Sequence, residues 1–433
     1  MTDDYSCFVN SKAIPIVLAF SLLLPLTGAE AKNVKVYSID DFYNNLSQKN
    51  NYIICSTIDF KGHSIALPAG SNITFESNCS VLNASIALNG ESTIRNGSFY
   101  VETGIVINDI IVVRGNHNCI ANTTINGGKS NTRFAISAFN AKNTIIKSCS
   151  ISNIGHNENN TAGIRFEGDC SHSVIKRTRI DSIVAFSNSS GITITQISKD
   201  KLFSQNVEVV RCIISNISPS VDGDGIKVLQ NHLPANHIIR DCSFINCAKR
   251  AIKIQGRGVR CKNVYVSEGC SEAIVDYQNG DCHIVGLKAE NLLNVYAGIY
   301  IQGSEGAIVL KKVNIEANNT EKKYVRGIKI IKSSWDANQI IHSVCIDRCM
   351  ISGFYRVLSV DGFTAIDSLT ISNCSFASVV NPIEINTKVS YLVIKSVFDS
   401  PLGKDRKSIS FPLIGECKDS FIDIRKRDGA VDR

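Results

Sequence analysis

A short pattern recurs along most of this 433-residue chain. A small residue is followed by isoleucine, then an arbitrary residue, then often another aliphatic. Copies stand at Gly104-Ile105, Ala135-Ile136, Gly163-Ile164, Gly191-Ile192, Gly225-Ile226, Ala251-Ile252, Ala273-Ile274, Gly298-Ile299 and Gly327-Ile328. Degenerate copies follow at Val357-Leu358 and Pro382-Ile383, and the spacing is 22 to 34 residues, about 28 on average. Such a period marks an array of stacked units, none of which buries its hydrophobic face alone. Two or three ordinary globular domains, the naive reading of this length, are thereby excluded.

A second pattern precedes many copies: Asn, two residues, an aliphatic, two residues, often Cys, then alternating aliphatics. It occurs at 143–153, 206–216 and 236–246, and later at 342–353 and 367–377. Alternation with period two predicts strands. No segment within 60–400 keeps a helical period for twelve residues. Two or three short strands per turn predict an all-β fold, a right-handed parallel β-helix of about eleven turns. A β-propeller would need longer blades with tighter hairpins. On these repeats the chain resembles the pectate-lyase-like right-handed β-helix superfamily over residues 60–400. The resemblance implies an architecture and leaves the reaction open.

The ends read differently. Residues 13–28 form the one strongly apolar stretch, and Ala29-Glu30-Ala31 offers small residues for a signal peptidase. We read 1–31 as a signal peptide of an exported, secreted or periplasmic protein. Its removal takes away one lysine and three acids, so the net charge rises from +7 to +9. That excess suits an acidic polysaccharide rather than nucleic acid, and no stable membrane span remains. Residues 32–60 are expected to cap the first rung with a short helix opened by Ser38-Ile-Asp-Asp41. The β-helix then runs over 61–400, and 401–433 form a charged cap or tail.

Sixteen cysteines suggest disulfides or zinc. Aligned on the repeat, Cys149, Cys212, Cys242, Cys349 and Cys374 fall in one inward column, with Thr178 in the intervening turn. Stacked strands lie about 4.8 Å apart, more than twice a disulfide bond length. The column is therefore expected to hold free buried thiols. An off-ladder bridge through Cys261 or Cys270 stays open. Asparagines at strand ends are expected to bond along their own stacks, which accounts for Asn72-Ile-Thr and Asn188-Ser-Ser without glycosylation.

The residue after each small-Ile pair should point outward. That column reads Ser137, Arg165, Thr193, Lys227, Lys253, Val275, Tyr300, Lys329, Ser359, Glu384. Around it, 222–260 is the densest polar stretch of the repeat region. Its residues suit β-elimination from an acidic glycan, in which a base removes the proton beside a uronate carboxylate and cations offset the charge that builds there. Lys227 or Lys253 is the candidate base, and Arg250 or Arg257 the candidate carboxylate clamp. Arg165, His232, His237, Arg257, Arg260 and Tyr300 are candidate substrate contacts. Asp222 and Asp224 are the candidate ligands of a calcium ion. Aromatic side chains are sparse, with Tyr296, Tyr300 and Trp335 the candidates on later turns. β-Helix polysaccharide lyases are similar in using a Lys or Arg base on an outer strand, often with calcium.

The competing reading is structural. Asp224, Arg250 and Glu272 align in three successive turns, and alternating signs in a stack describe an ion-pair ladder. The stretch Asp222-Gly-Asp-Gly-Ile-Lys227 resembles the Asp-Gly-Ile-Asp segment of polygalacturonase-type hydrolases, yet Lys227 stands at the Asp position. Ala248-Lys249-Arg250 replaces their paired aspartates, and Gly-His-Gly is absent, which argues against a paired-carboxylate glycosidase. The leading expectation is a lyase of an acidic glycan. The alternatives are a non-catalytic polysaccharide-binding, assembly or adhesion protein, and a glycoside hydrolase or tail-spike-like depolymerase.

Overall fold

The computed structural model describes residues 31–426 except 130, 157–159, 198–201, 220, 232, 279–280, 304–305, 319–323, 333–339, 363–364, 379–382 and 400–416. The leader expected over 1–31 lies outside the described residues, save Ala31.

Each coil contributes three strands. One contains Ile145–Lys147, Ser150–His156 and Thr161–Glu167, and the next Val174–Lys176, Arg179–Ala185 and Asn188–Thr195. Each strand pairs in parallel with its counterpart, so that Ile146 faces Ile175, Ile151 faces Ile180 and Ile164 faces Ile192. The third strands form a thirteen-stranded parallel sheet from Ser64–Ala66 to Ile383–Asn386, and the other two faces share a larger sheet. The fold is a right-handed parallel β-helix of about twelve turns.

Ile65 and Ile86 already stand in ladder register with each other, upstream of the first copy counted in the sequence. The next residue of that column is Ile111 rather than Ile105, and Gly104 instead occupies a turn with φ +92. Stacked isoleucines fill the bore: Ile136, Ile164, Ile192, Ile226 and Ile252 are all fully buried. Corners are made by single left-handed residues, Asn122 (φ 51), Asn153 (φ 54), Asn216 (φ 54) and Asn246 (φ 53) among them. Asparagine tolerates that conformation better than most residues, which explains its density here. Its amide also bonds along the stack, Asn246 donating to Asn216 at 2.9 Å and Asn216 to Asp181 at 2.8 Å.

The small residue of the repeat marks a break in the alternation. A Cβ on Gly225 would lie 2.5 Å from the buried Phe244 ring and 2.6 Å from the carbonyl oxygen of Ala251. Gly191 meets Ile214 and the Gly225 carbonyl in the same way. Gly225 and Ile226 therefore both face the bore, and Asp224 and Lys227 share the opposite face of the strand, where both stay buried against neighbouring charges.

The cysteine column forms as expected. Ser243 donates to the carbonyl of Cys212 and Tyr265 to that of Cys242, each at 2.9 Å, and Ser375 to that of Cys349 at 2.8 Å. Cys149, Cys212, Cys242, Cys349 and Cys374 are buried and free, with Thr178 between the first two. Val264, Leu287 and Val313 continue the column where the cysteines lapse. Cys261 and Cys270 are also free, and burial pushes each thiol up to about 12.

The cap helix is short, Ile39–Tyr43, with the Asp41 carboxylate accepting from the backbone N–H groups of Tyr37 at 2.8 Å and Ser38 at 2.9 Å. Phe42 stacks on Tyr52 at 5.0 Å and is fully buried with it. The strands flanking it, Lys32–Val36 and Asn50–Ile54, belong to the ladder themselves. At the other end Cys417–Lys426 pairs in parallel with Val389–Asp399. No helix among the described residues is long and apolar enough to cross a membrane.

Candidate functional site

The outward column exists, with one correction. Ser137, Arg165, Thr193, Lys227 and Lys253 are successive ladder partners. The partner of Lys253 is then Asp276, where Val275 was expected. Val275 faces inward opposite Ile252, because Ile274 takes the place of the small residue in this rung. Tyr300, Lys329, Ser359 and Glu384 complete the column. The same shift moves Glu272 out of the Asp224–Arg250 column, whose next member is Ala273.

At the centre of the column lies a network of four acids and four bases. Arg250 is its hub. Its Nη1 stands 3.0 Å from Asp224 and 3.2 Å from Asp222, its Nη2 bonds Glu272, and its Nε lies 3.2 Å from Asp276. Lys227 approaches Asp222 at 3.5 Å and Asp224 at 3.6 Å. Lys249 reaches Asp222 and Glu272, and Lys253 lies 3.8 Å from Asp222. Two amides hold Asp276 from the side, Gln278 at 2.7 Å and Gln302 at 3.1 Å.

Burial and neighbouring charge set the protonation of these groups. Burial raises Asp276 to about 6, against the pull of Arg250. Burial likewise raises Asp224, opposed by Arg250 and Lys227. Asp222 is less enclosed, and its cations, Lys227 foremost, outweigh burial and bring it down to about 2. Lys253 is lowered, first by burial and then by Arg250. A lowered lysine next to other cations is the state a general base requires.

The arrangement does not suit the calcium ion expected at Asp222 and Asp224. Lys227 and Arg250 lie within 4 Å of oxygens of both carboxylates, and Lys249 and Lys253 of Asp222. A dication there would displace or face four positive groups. No cluster of three or more His, Cys, Asp or Glu with ligating geometry occurs among the described residues.

The candidate contacts fall in different places. Arg165 lies on the column, paired with Glu167 at 2.8 Å and stacked 4.8 Å from the Phe134 ring centre. His237 is in the core, 1% exposed. Its Nδ1 accepts from the Val207 N–H at 3.1 Å, its Nε2 is 3.0 Å from Gln230 Oε1, and burial lowers it to about 3. It is a neutral structural histidine rather than a surface contact. Arg257 is half-buried in the turn after Arg250–Ile254, and Arg260 stands exposed on the larger sheet, away from the column. His232 and Trp335 lie outside the described residues.

Two features escaped the sequence. Tyr300 is part of a cluster, 6.0 Å from Tyr296, which lies 6.1 Å from the exposed Tyr324, and Lys329 bonds the Tyr296 hydroxyl. On the other side of the network a cleft of about 150 Å³ opens between Arg133, Phe134, Arg165, Ser189, Thr193 and Lys227. It exists because Ala162 and Ser190 occupy the positions that Asp224 and Arg250 fill in later rungs.

A family model described as right handed beta helix region matches residues 86–262. No curated protein sequence matches the chain. Among solved structures it is similar to the catalytic domain of an alpha-1,3-glucanase of family GH87, at 12% identity and a TM-score of 0.39, covering 90% of this chain and 68% of that one. It is also similar to the receptor-binding tailspike of bacteriophage Det7, at 11% identity and 0.36, covering 88% and 78%. The surface adhesin PfbA of Streptococcus pneumoniae resembles it at 11% identity and 0.26, covering 83% and 82%. By its ladder register and the match over residues 86–262, the chain is a right-handed parallel β-helix.

Proposed function

We propose that this protein binds an acidic polysaccharide along the outer face of the thirteen-stranded sheet and cleaves it by β-elimination, with Lys253 as base. The observation that carries the reading is Lys253 itself. Its amine is enclosed, lowered by burial and Arg250, and follows Lys227 in one outward column. Lys253 takes the proton on the carbon beside a uronate carboxylate. Those electrons form the carbon–carbon double bond as the bond to the leaving sugar oxygen breaks. The leaving oxygen takes a proton from water, and Lys253 returns its own to solvent. Lys227, at the edge of the cleft, offsets the charge that develops on the carboxylate. Arg250, held by four chain carboxylates, positions the lysines instead of clamping substrate. The leader-like segment 13–28 supports an exported protein acting outside the cytoplasm.

A binding protein without turnover is the second reading, favoured by the balance of four acids against four bases, which also describes a structural ion-pair network. The test incubates the purified chain with a panel of uronate polymers. Ultraviolet absorbance from unsaturated ends, lost in Lys253→Ala, is the expected result. New reducing ends without absorbance would replace elimination with hydrolysis. Binding without either product would leave the second reading.

A further inference from the structure

The cleft beside the network contains polar groups that the chain leaves unsatisfied. Arg133, Thr161 and Ser189 occupy equivalent places in three successive rungs, the last two as direct ladder partners. Ser189 is 1% exposed, and its hydroxyl has no hydrogen-bond partner among the described residues. The buried Nε of Arg133 likewise has no hydrogen-bond partner among the described residues, and Asp109 is a carboxylate that feels its charge. Native proteins seldom bury donors without partners, and a guanidinium least of all. Both groups line the same cleft.

The remaining lining has the same polarity. Arg133 and Arg165 bring two guanidinium groups to one ring, 5.1 and 4.8 Å from the centre of Phe134. Glu167 neutralises only Arg165. Thr193 and Ser190 add hydroxyls, 2.5 Å from each other. Asp109 stands nearby, its carboxyl raised by burial against a hydrogen bond with Ser137 and the charges of Arg165 and Arg133. Guanidinium and hydroxyl donors gathered in one cleft match a sugar that carries an anionic, acceptor-only group.

We propose that this cleft is an anchoring subsite for a second acidic sugar of the bound chain, its carboxylate on Arg133 and Ser189. The proposal rests on the acidic-polysaccharide reading above. Arg133 and Ser189 lie on strands four and two rungs from that of Lys253, so the anchored carboxylate lies on the order of 10–20 Å from the base. A substrate must span both places. The protein therefore reads a repeating acidic polymer and discriminates against disaccharides.

The test titrates purified protein with galacturonate dimer, galacturonate hexamer and the methyl-esterified hexamer, using calorimetry. Wild type is expected to bind the acidic hexamer most tightly. Arg133→Gln should weaken that binding by about 10-fold or more while leaving the dimer unchanged, as loss of a charge-assisted hydrogen bond requires. Ser189→Ala, a smaller change at the same cleft, should weaken it less, and circular dichroism melts establish that both variants fold. Hexamer binding unchanged in Arg133→Gln, or an ester bound as tightly as the acid, overturns the subsite and leaves the main reading intact. Binding of no acidic oligomer by wild type overturns both. Hexamer binding lost in Arg133→Gln, with no turnover by wild type, keeps the subsite and removes catalysis.

Discussion

Asp224 and Arg250 are direct partners in the ladder and also in charge, with the guanidinium 3.0 Å from a carboxylate that is fully buried. Arg250→Met would leave Asp224 and Asp276 buried without their main counter-ion. Breaking a buried pair from one side destabilises by roughly 3–5 kcal/mol. Urea unfolding of the variant checks this, and a loss below about 1 kcal/mol would mean that water already screens the network.

Lys253 gives a signed pH prediction. A base works unprotonated, so kcat/KM should rise with pH through its pKa, which lies below the ordinary lysine value of 10.5. Lys227 is one of the charges lowering it. Lys227→Gln should therefore move the rising limb to higher pH, and Asp222→Asn, which removes a carboxylate that raises it, to lower pH. Limbs that coincide in all three proteins would exclude Lys253 as the titrating group.

Activity and melting temperature should be indifferent to a chelator. The carboxylates at 222 and 224 already meet four chain cations. Loss of activity in EDTA, restored by calcium, would refute this.

His237 makes the fold acid-sensitive. Its native pKa of about 3 lies under the unfolded 6.5, so below pH 6.5 the unfolded chain takes a proton that the native state refuses. Stability is fully present above 6.5 and falls with pH toward 3. At pH 4.5 this term is about 2–3 kcal/mol. His237→Gln should narrow its stability gap to wild type by that amount between pH 7 and 4.5. Parallel stability curves for the two proteins would contradict the burial argument.

Gly225→Ala should destabilise by about 1–3 kcal/mol, since its methyl group meets Phe244 and a backbone oxygen that a parallel ladder cannot move freely. An unchanged urea midpoint would show that the rung has slack.

How far the sequence can be read depends on what each residue reports. The cysteine column was legible because strand register is periodic, and residues such as Cys212 and Cys242 repeat with it. Asp276 was hidden by a false match, since Ala273-Ile274 imitates the repeat one residue early. The next two intervals become nearly equal once Val275 is used, and that was the available signal. His237 reads as a substrate contact because nothing local shows that Gln230 folds back onto it. The cleft was illegible for another reason: it arises where Ala162 and Ser190 are small, and a pattern of charges does not register a lack of bulk.

The reach of Arg250 has a mechanical consequence. A solenoid whose units touch only their neighbours can unzip one coil at a time from either end. Arg250 binds acids on the coil before it and on the coil after it, and Gln302 ties Asp276 to a fourth coil. These side chains rivet four consecutive coils into one block. Fraying that starts at a terminus would halt there, so the charged network outlasts the end coils.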